Sequence, residues 1–326
     1  YLELEPKKAD LQIRVLGIPI KIKKTFYESI YGPTLKSKTG TYAVRTPALF
    51  EIRALEQWWR MNKATNFTEF YKALKMKALP GYNIGYADKN DTIFYISNGL
   101  IPIREKGYQW KNVVPGNTKK TLWTETYAIE DLPQVIQPQS GYVYNANHTP
   151  FRSSDSLDNP NQNDFSLDMG FETYDNNRSA RLKILIDQYE TVSYSDFKKI
   201  KYDREYPKLY NFSWMDINYL DQLDADKYPE LKDLILTLQK WDRKADANSV
   251  GAGIFAVLYS QLRPFYQKLP EPKIFPPAIL IKALKKTQAY LIKHFGSTQI
   301  PLGKYQKLVR GSKEIPIFGL PDVVTS

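Results

Sequence analysis

Apolar and polar positions alternate near the start of the chain. Leu11, Ile13 and Val15 are separated by Gln12 and Arg14, a period of two that predicts a half-buried strand. Ile18 to Ile22 resumes the pattern after Gly17, and Thr41 to Val44 is a further short strand candidate. The period then lengthens. Residues 48–63 carry Phe50, Leu55, Trp58 and Trp59 and predict a helix. Asn66-Phe67-Thr68-Glu69 has the form of a capping box, with Asn66 accepting from first-turn amides and Glu69 reaching back. The helix it opens carries Phe67, Phe70, Tyr71, Leu74 and Met76, and Pro80-Gly81 ends it. Residues 82–88 and 92–97 flank Lys89-Asn90-Asp91, which predicts a β-hairpin. Residues 99–150 are rich in Pro, Gly and Asn and read as loop, with one short apolar strand expected at Gly141 to Tyr144.

From about residue 151 the character changes. Residues 152–168 are polar and predict an exposed loop. Helices are expected at 178–189, at 193–200 (opened by Ser193 and Asp196 at capping spacing), and at 214–223, 228–240, 251–263 and 277–295. The apolar run from Gly251 to Leu262 contains Ser260 and Gln261 and falls short of the ~18 residues of a membrane span, so it predicts a buried helix. The expected architecture is α+β, with a sheet-rich part at 1–150 and a mainly helical part at 151–326. No membrane span, fixed-period repeat or low-complexity tract is visible.

Composition narrows the classes. A 14% aromatic content carries far too much burial potential for a disordered chain. The absence of cysteine excludes disulfides, thiolate metal sites and a Cys nucleophile within this chain, and says nothing about compartment. The formal net charge of +11 invites a nucleic-acid reading. The basic clusters are short, however (Lys21-Ile22-Lys23-Lys24, Lys119-Lys120, and 282–286), and acids interleave elsewhere. No nucleic-acid partner is expected. The opening Tyr1-Leu2-Glu3-Leu4-Glu5 has no Met and no apolar leader, and suggests a fragment or a processed chain.

Familiar catalytic signatures are missing: there is no G-x-S-x-G, P-loop, G-x-G-x-x-G or H-E-x-x-H. His294 lies in a predicted helix and reads as a surface residue, while His148 lies in a polar loop. Acidic residues are too numerous for a carboxylate pair to be picked out. One stretch carries more. Gly141-Tyr142-Val143-Tyr144 is followed by Asn145 and Asn147, two apart, which on a strand would face the same side. A carboxamide there can aim N–H at a developing oxyanion without adding charge. On spacing alone the pair reads as strand-ending turn residues, and that reading is preferred to the oxyanion donor.

The order of short motifs resembles the penicillin acylase family, which includes penicillin amidases, acyl-homoserine-lactone acylases and the aculeacin acylase type. The motifs are Tyr31-Gly32-Pro33, the hairpin from Gly81 to Ser97, Asn98-Gly99-Leu100-Ile101-Pro102-Ile103-Arg104, Val114-Pro115-Gly116, Trp123, and Leu132-Pro133. Next come Pro138-Gln139-Ser140-Gly141-Tyr142, Asn145-Ala146-Asn147-His148-Thr149-Pro150 and Arg178-Ser179-Ala180-Arg181-Leu182. The last is Trp241-Asp242-Arg243-Lys244-Ala245-Asp246-Ala247-Asn248-Ser249-Val250-Gly251-Ala252. They are collinear across most of the chain.

The resemblance implies an N-terminal-nucleophile hydrolase, an αββα sandwich with an added helical region, made as a zymogen in the periplasm or secreted. An N-terminal Ser attacks an amide carbonyl with its own α-amine as base. The oxyanion is held by a backbone N–H and an Asn side chain. The alignment assigns that Asn to Asn147, with Asn145 as the alternative two residues back, and assigns the family's site-organising arginine to Arg178. The family's nucleophile segment has no counterpart here, so this chain looks like part of the β subunit and by itself inactive. Its expected partners are the α subunit, the N-terminal part of the β subunit and a small-molecule amide such as a penicillin antibiotic or an N-acyl-homoserine lactone. No cofactor is required, and calcium is allowed with no ligands assigned. Two other readings fit the residues: a carbohydrate- or nutrient-binding protein whose abundant Tyr and Trp stack on sugars, and an inactive acylase-like scaffold.

Overall fold

A computed structural model describes residues 3–207, 218–266, 268–269 and 275–325. The fold is α+β. The chain forms two compact units, one from residues 1–145 and 150–173, the other from 146–149 and 174–326.

In the first unit, β1 (Glu5–Val15) and β2 (Ile18–Ser29) form a long antiparallel hairpin. Its register pairs Leu11 with Ile22, Ile13 with Ile20 and Val15 with Ile18. The expected alternation is therefore present. The expected half-burial is not: these six side chains keep 38–66% of their surface, because no described residue covers that face. The turn is Leu16-Gly17, with φ 51° and 84°. This double left-handed geometry suits a two-residue hairpin, and only Gly17 adopts it without strain. β3 (Gly32–Ser37) and β4 (Gly40–Ala43) complete a four-stranded sheet in the order β1-β2-β3-β4. Gly32 has φ 128°, and a Cβ there would lie 2.4 Å from the Val44 carbonyl oxygen, so this position of the Tyr31-Gly32-Pro33 motif admits glycine alone.

α1 (Ala54–Lys63) starts later than the expected residue 48. Ala48 is left-handed (φ 58°), and the Glu51 carboxylate accepts from the N–H and guanidinium of Arg53, so a local turn replaces the first helical turn. α2 (Phe67–Leu74) is capped by Asn66 Oδ1, which accepts from Glu69 N–H at 3.0 Å. Glu69 does not close the box on Asn66. Its carboxylate takes the N–H and hydroxyl of Thr65 instead. The helix stops before Met76. Phe67 lies 5.0 Å from Phe94 and 5.4 Å from Tyr86 between ring centres. It packs against a core that includes Leu74, Leu79, Ile96 and Leu132.

β5 (Tyr82–Ala87) and β6 (Ile93–Asn98) form the expected hairpin, joined by β7 (Gln134–Ile136). β7 lies in the stretch read as loop. The strand expected at Gly141 to Tyr144 does not form. Ser154 Oγ donates to Tyr142 O (2.9 Å), Tyr144 N donates to Ser153 O (2.8 Å), and the Asp158 carboxylate accepts the N–H groups of Gln139 and Ser140. Side chains and loop backbone thus take the hydrogen bonds that a neighbouring strand would need.

The second unit contains α3 (Asn177–Ile186), α4 (Tyr194–Lys201), α5 (Asn218–Asp221), α6 (Lys232–Gln239), α7 (Val250–Tyr266), α8 (Pro277–Phe295) and α9 (Leu302–Tyr305). The hairpin of β8 (Lys307–Arg310) and β9 (Lys313–Pro316) follows. Of the helix expected at 214–223, residues 214–217 lie outside the described residues. α7 is buried on every side from Gly251 to Leu258, as an unbroken apolar run requires. The Trp241-to-Ala252 motif is a packing device. A Cβ on Gly251 would meet Trp241 Cγ at 2.4 Å, and one on Gly253 would meet the Ile300 carbonyl oxygen at 2.0 Å. The carbonyls of Ala245, Ala247 and Ser249 accept from the N–H groups of Gly319 (2.8 Å), Gly303 (2.7 Å) and Leu302 (3.0 Å). Residues 302–319 are thereby stitched onto the segment that leads into α7.

Two stability outcomes follow from these geometries. Leu16→Asn should relieve a left-handed residue whose side chain touches little, worth about 1 kcal/mol. Hydrogen exchange of the β1–β2 amides should slow about fivefold, and unchanged exchange would show that the turn stores no strain. Gly253→Ala forces backbone apart inside a buried helix and should cost about 3 kcal/mol, lowering the thermal midpoint by roughly 10 °C. A midpoint within error of wild type would contradict the close approach.

Candidate active site

The arrangement begins at the first turn of α3. Asn176 is its cap: Asn176 Oδ1 accepts from Ser179 N–H at 2.9 Å, and Asn176 N–H donates to Ser179 Oγ at 3.1 Å. This reciprocal pair satisfies donors that a helix start leaves open. The other arm of the cap's carboxamide, Nδ2, donates to the Ala146 carbonyl at 2.7 Å. Thr149 N–H donates to Tyr174 O at 3.2 Å. Residues 146–149 are so fastened to the entry of α3. His148, read from sequence as a polar-loop residue, is buried, and its Nδ1 accepts from Ala146 N–H at 3.1 Å. An accepting Nδ1 puts the ring proton on Nε2.

Asn147 sits between the buried Ala146 and His148 and is itself exposed, with φ 58°. Asparagine is among the few residues that occupy this left-handed region readily. Its Oδ1 accepts from Arg178 Nη1 at 3.2 Å. Arg178 stands in the first turn of α3, so the capping geometry that fixes residues 146–149 also sets its origin. Its Nε donates to Asp322 Oδ1 at 3.2 Å. Asp322 Oδ2 accepts from Asn177 N–H (3.0 Å) and Asn177 Nδ2 (2.9 Å). The Arg178 and Asp322 side chains keep 30% and 20% of their surface, so the pair is sheltered from water on most sides. Asp322 lies in a turn held by the buried Leu320 and Val323 and by the Tyr206 hydroxyl, which donates to Pro321 O at 2.5 Å.

The chemistry follows from which arm of each amide is engaged. With Oδ1 of Asn147 held by a guanidinium, the planar carboxamide turns its Nδ2 donors away from Arg178. The cation draws density from the carbonyl and strengthens those donors. Asn145 has the opposite assignment. Its Nδ2 donates to the Tyr95 hydroxyl at 3.3 Å, and that hydroxyl donates to Asn83 Oδ1 at 2.7 Å. Burial pushes the Tyr95 phenol far above its ordinary range, so it stays neutral and serves both bonds. The two Asn side chains do not share a face, because residues 141–147 are not a strand and Asn147 is left-handed.

Asp322, Asn176 and Asn177 were not singled out by sequence. The capping pair was detectable from Asn176 and Ser179 at box spacing, whereas Asp322 carries no local signal. His294 is exposed on α8, its ring 4.4 Å from that of Tyr290. A separate cavity of about 300 Å3 in the first unit is lined by Arg45, Phe50, Glu51, Trp123 and Glu125 among others, and by none of the predicted site residues. The guanidinium carbons of Arg45 and Arg104 lie 5.4 and 5.3 Å from the Trp123 ring centre. Among the described residues no cluster of three or more His, Cys, Asp and Glu side chains is arranged to hold a metal, so the calcium allowed by the resemblance receives no ligand set. No helix among them is long and apolar enough to cross a membrane.

Comparison with known proteins is consistent over most of the length. The sequence model of the penicillin amidase family matches residues 4–324. A penicillin G acylase from Escherichia coli is 35% identical over 130 residues, which are 39% of this chain and 15% of that protein. The solved structure of a thermostable penicillin G acylase from Alcaligenes faecalis superposes with a TM-score of 0.59 at 18% identity, covering 89% of this chain and 61% of the other. The chain thus spans 15% of the first relative and 61% of the second, less than two thirds of either, and the structural likeness shows a shared fold.

Proposed function

The chain belongs to the penicillin amidase family, and from that premise we propose that it is the oxyanion-stabilising portion of an amidohydrolase. The intact enzyme cleaves a linear amide, an N-acyl compound of the kind represented by penicillins and N-acyl-homoserine lactones. Its nucleophile is an N-terminal Ser on another segment of the same protein, and this portion alone is inactive. The protein matures from a zymogen, acts in the periplasm or outside the cell, and needs no cofactor for acyl transfer. The observation that carries the reading is the Asn147 carboxamide, raised on a left-handed residue and held through its oxygen by Arg178 at 3.2 Å.

In the proposed reaction the seryl Oγ attacks the amide carbonyl and its proton passes to the α-amine of the same residue. The carbonyl oxygen becomes the oxyanion and accepts N–H from Asn147 Nδ2 and from a backbone amide. Collapse breaks the C–N bond, the amine leaves with the proton, and an acyl-enzyme forms. Water then attacks the ester by the same route and releases the carboxylic acid. Asn147 contributes a neutral donor already oriented before charge develops, so little reorganisation is needed at the transition state. Arg178 has no direct bond to the oxyanion in this scheme. It fixes the carboxamide's rotation.

The carbohydrate-binding alternative needs an open aromatic face. At the Trp123 cavity two guanidinium groups already lie against that ring, so no observation there favours it.

Asn147→Gly tests the reading without straining the backbone, because glycine accepts the left-handed φ. In the full-length mature enzyme kcat should fall about 10²–10³-fold, the usual cost of one oxyanion donor, with KM and the thermal midpoint close to wild type. Undiminished kcat would dismiss the assignment of Asn147.

A further inference from the structure

We propose that Asp322 is a positioning residue for the reaction: it locks the Arg178 guanidinium, and through it sets the angle of the Asn147 carboxamide. This deepens the reading above and rests on it. The argument begins with the freedom of an arginine side chain. Arg178 carries five N–H donors on a planar fork at the end of a flexible stem. One contact to Asn147 Oδ1 at 3.2 Å leaves the fork able to swing about its stem. A second contact on Nε, to Asp322 Oδ1 at 3.2 Å, fixes the plane. The donors used are Nε and Nη1, so one side of the fork faces the carboxylate while a terminal nitrogen remains for the amide.

The carboxylate is in turn immobilised. Its second oxygen accepts both the N–H and the Nδ2 of Asn177, so Asp322 grips the first residue of α3 while it holds the side chain of the second. Three donors from two adjacent residues converge on one carboxylate. A side chain whose purpose was only to close the 319–323 turn would not need the guanidinium. That turn already has Gly319 N–H on Ala245 O, the Tyr206 hydroxyl on Pro321 O, and the buried Leu320 and Val323. The left-handed φ of 65° at Asp322 turns its side chain out of that scaffold towards α3.

The line of action runs from Asp322 to Arg178 to Asn147, and all three residues belong to the second unit. Removing the negative charge while keeping the shape, as in Asp322→Asn, leaves an oxygen to accept one donor set. It withdraws the partner that holds Nε. The Asn147 carboxamide would then keep its N–H groups and lose its aim. Misplacement of a reacting group by about 1 Å can cost about 10²-fold in rate, so a drop in kcat of about 10- to 100-fold is expected, with KM little changed.

The test uses the full-length mature enzyme and a chromogenic N-acyl anilide that wild type cleaves. kcat and KM are measured for Asn147→Gly, Asp322→Asn and the double variant. If Asp322 acts through Asn147, Asp322→Asn lowers kcat in the wild-type background and lowers it no further in the Asn147→Gly background. A purely structural Asp322 gives equal fold losses in both backgrounds, or a lowered thermal midpoint with kcat intact, and either result overturns the proposal. Asn147→Gly with full kcat overturns the functional reading together with this one. Asn147→Gly impaired, with Asp322→Asn multiplying the loss, overturns this one alone. If Asp322→Asn does not accumulate, Arg178→Lys takes its place. Lysine keeps the ion pair as a point charge and gives up the fork that joins two acceptors. It should reproduce the kcat loss and likewise add nothing to Asn147→Gly, and additivity there would equally refute the coupling.

Discussion

One carboxylate holds together parts of the second unit that are far apart in sequence. Asp322 reaches Arg178 across 144 positions of chain and meets it at the start of α3. The location suits a negative charge. The first N–H groups of a helix have no intrahelical acceptor, and the aligned peptide dipoles favour an anion there. Asn177 N–H is one of those groups, and Asp322 takes it. The pair is only partly exposed, so its worth is not that of a surface salt bridge. In such surroundings an isolated charge is costly, and each partner keeps the other from being left buried and unpaired. The same carboxylate takes an open N–H at the start of α3 and orients the guanidinium.

That contact exists only because the C-terminal segment can come close. The approach is made at the backbone, where Ala245, Ala247 and Ser249 offer carbonyls to Gly319, Gly303 and Leu302. It needs the absence of side chains at Gly251 and Gly253, whose missing Cβ atoms leave room for Trp241 and for Ile300 O. The Trp241 ring lies 5.1 Å from Phe255 and 6.1 Å from Tyr206, and Tyr206 in turn holds Pro321. The motif from Trp241 to Ala252 gives the C-terminal segment its close packing surface. Its part is to deliver the turn that presents Asp322. A family signature made of small residues and one tryptophan is thus explained by packing rather than by chemistry.

The elements legible in the sequence are those specified by their own residues. The Asn66 cap, the 82–97 hairpin, and the apolar runs of α7 and α8 each carry a local pattern with one structural solution. The failures have a common cause. Glu51 and Arg53 replace a helical turn with a side-chain turn, Ser154 and Asp158 take the backbone groups of 139–144, and β7 forms because β6 offers it an edge. In each case a competing hydrogen-bond partner overrides the local period. The alternation of β1 and β2 was legible and its exposure was not, since burial depends on what lies opposite. At the site, Asn147 and Arg178 could be named only from the order of family motifs, because one Asn and one Arg among so many polar residues have no period. Asp322 could not be found at all from local signals.

The two asparagines of Asn145-Ala146-Asn147 show why composition alone could not choose between them. Both are carboxamides near the end of the same stretch, and a strand would have pointed them the same way. A carboxamide is useful to an oxyanion through its nitrogen, so what matters is which arm the protein has already bound. At Asn145 the nitrogen is engaged by Tyr95, whose burial keeps it neutral and whose hydroxyl is fixed by Asn83. At Asn147 a cation holds the side-chain oxygen, which fixes the plane of the amide and turns the nitrogen away from Arg178. The left-handed backbone at Asn147, between two buried neighbours, lifts that arm out of the packed segment. The proposed donor at 147 and the anchor at 145 are then two uses of one side chain, separated by the charge of the partner and, at 147, by a left-handed φ.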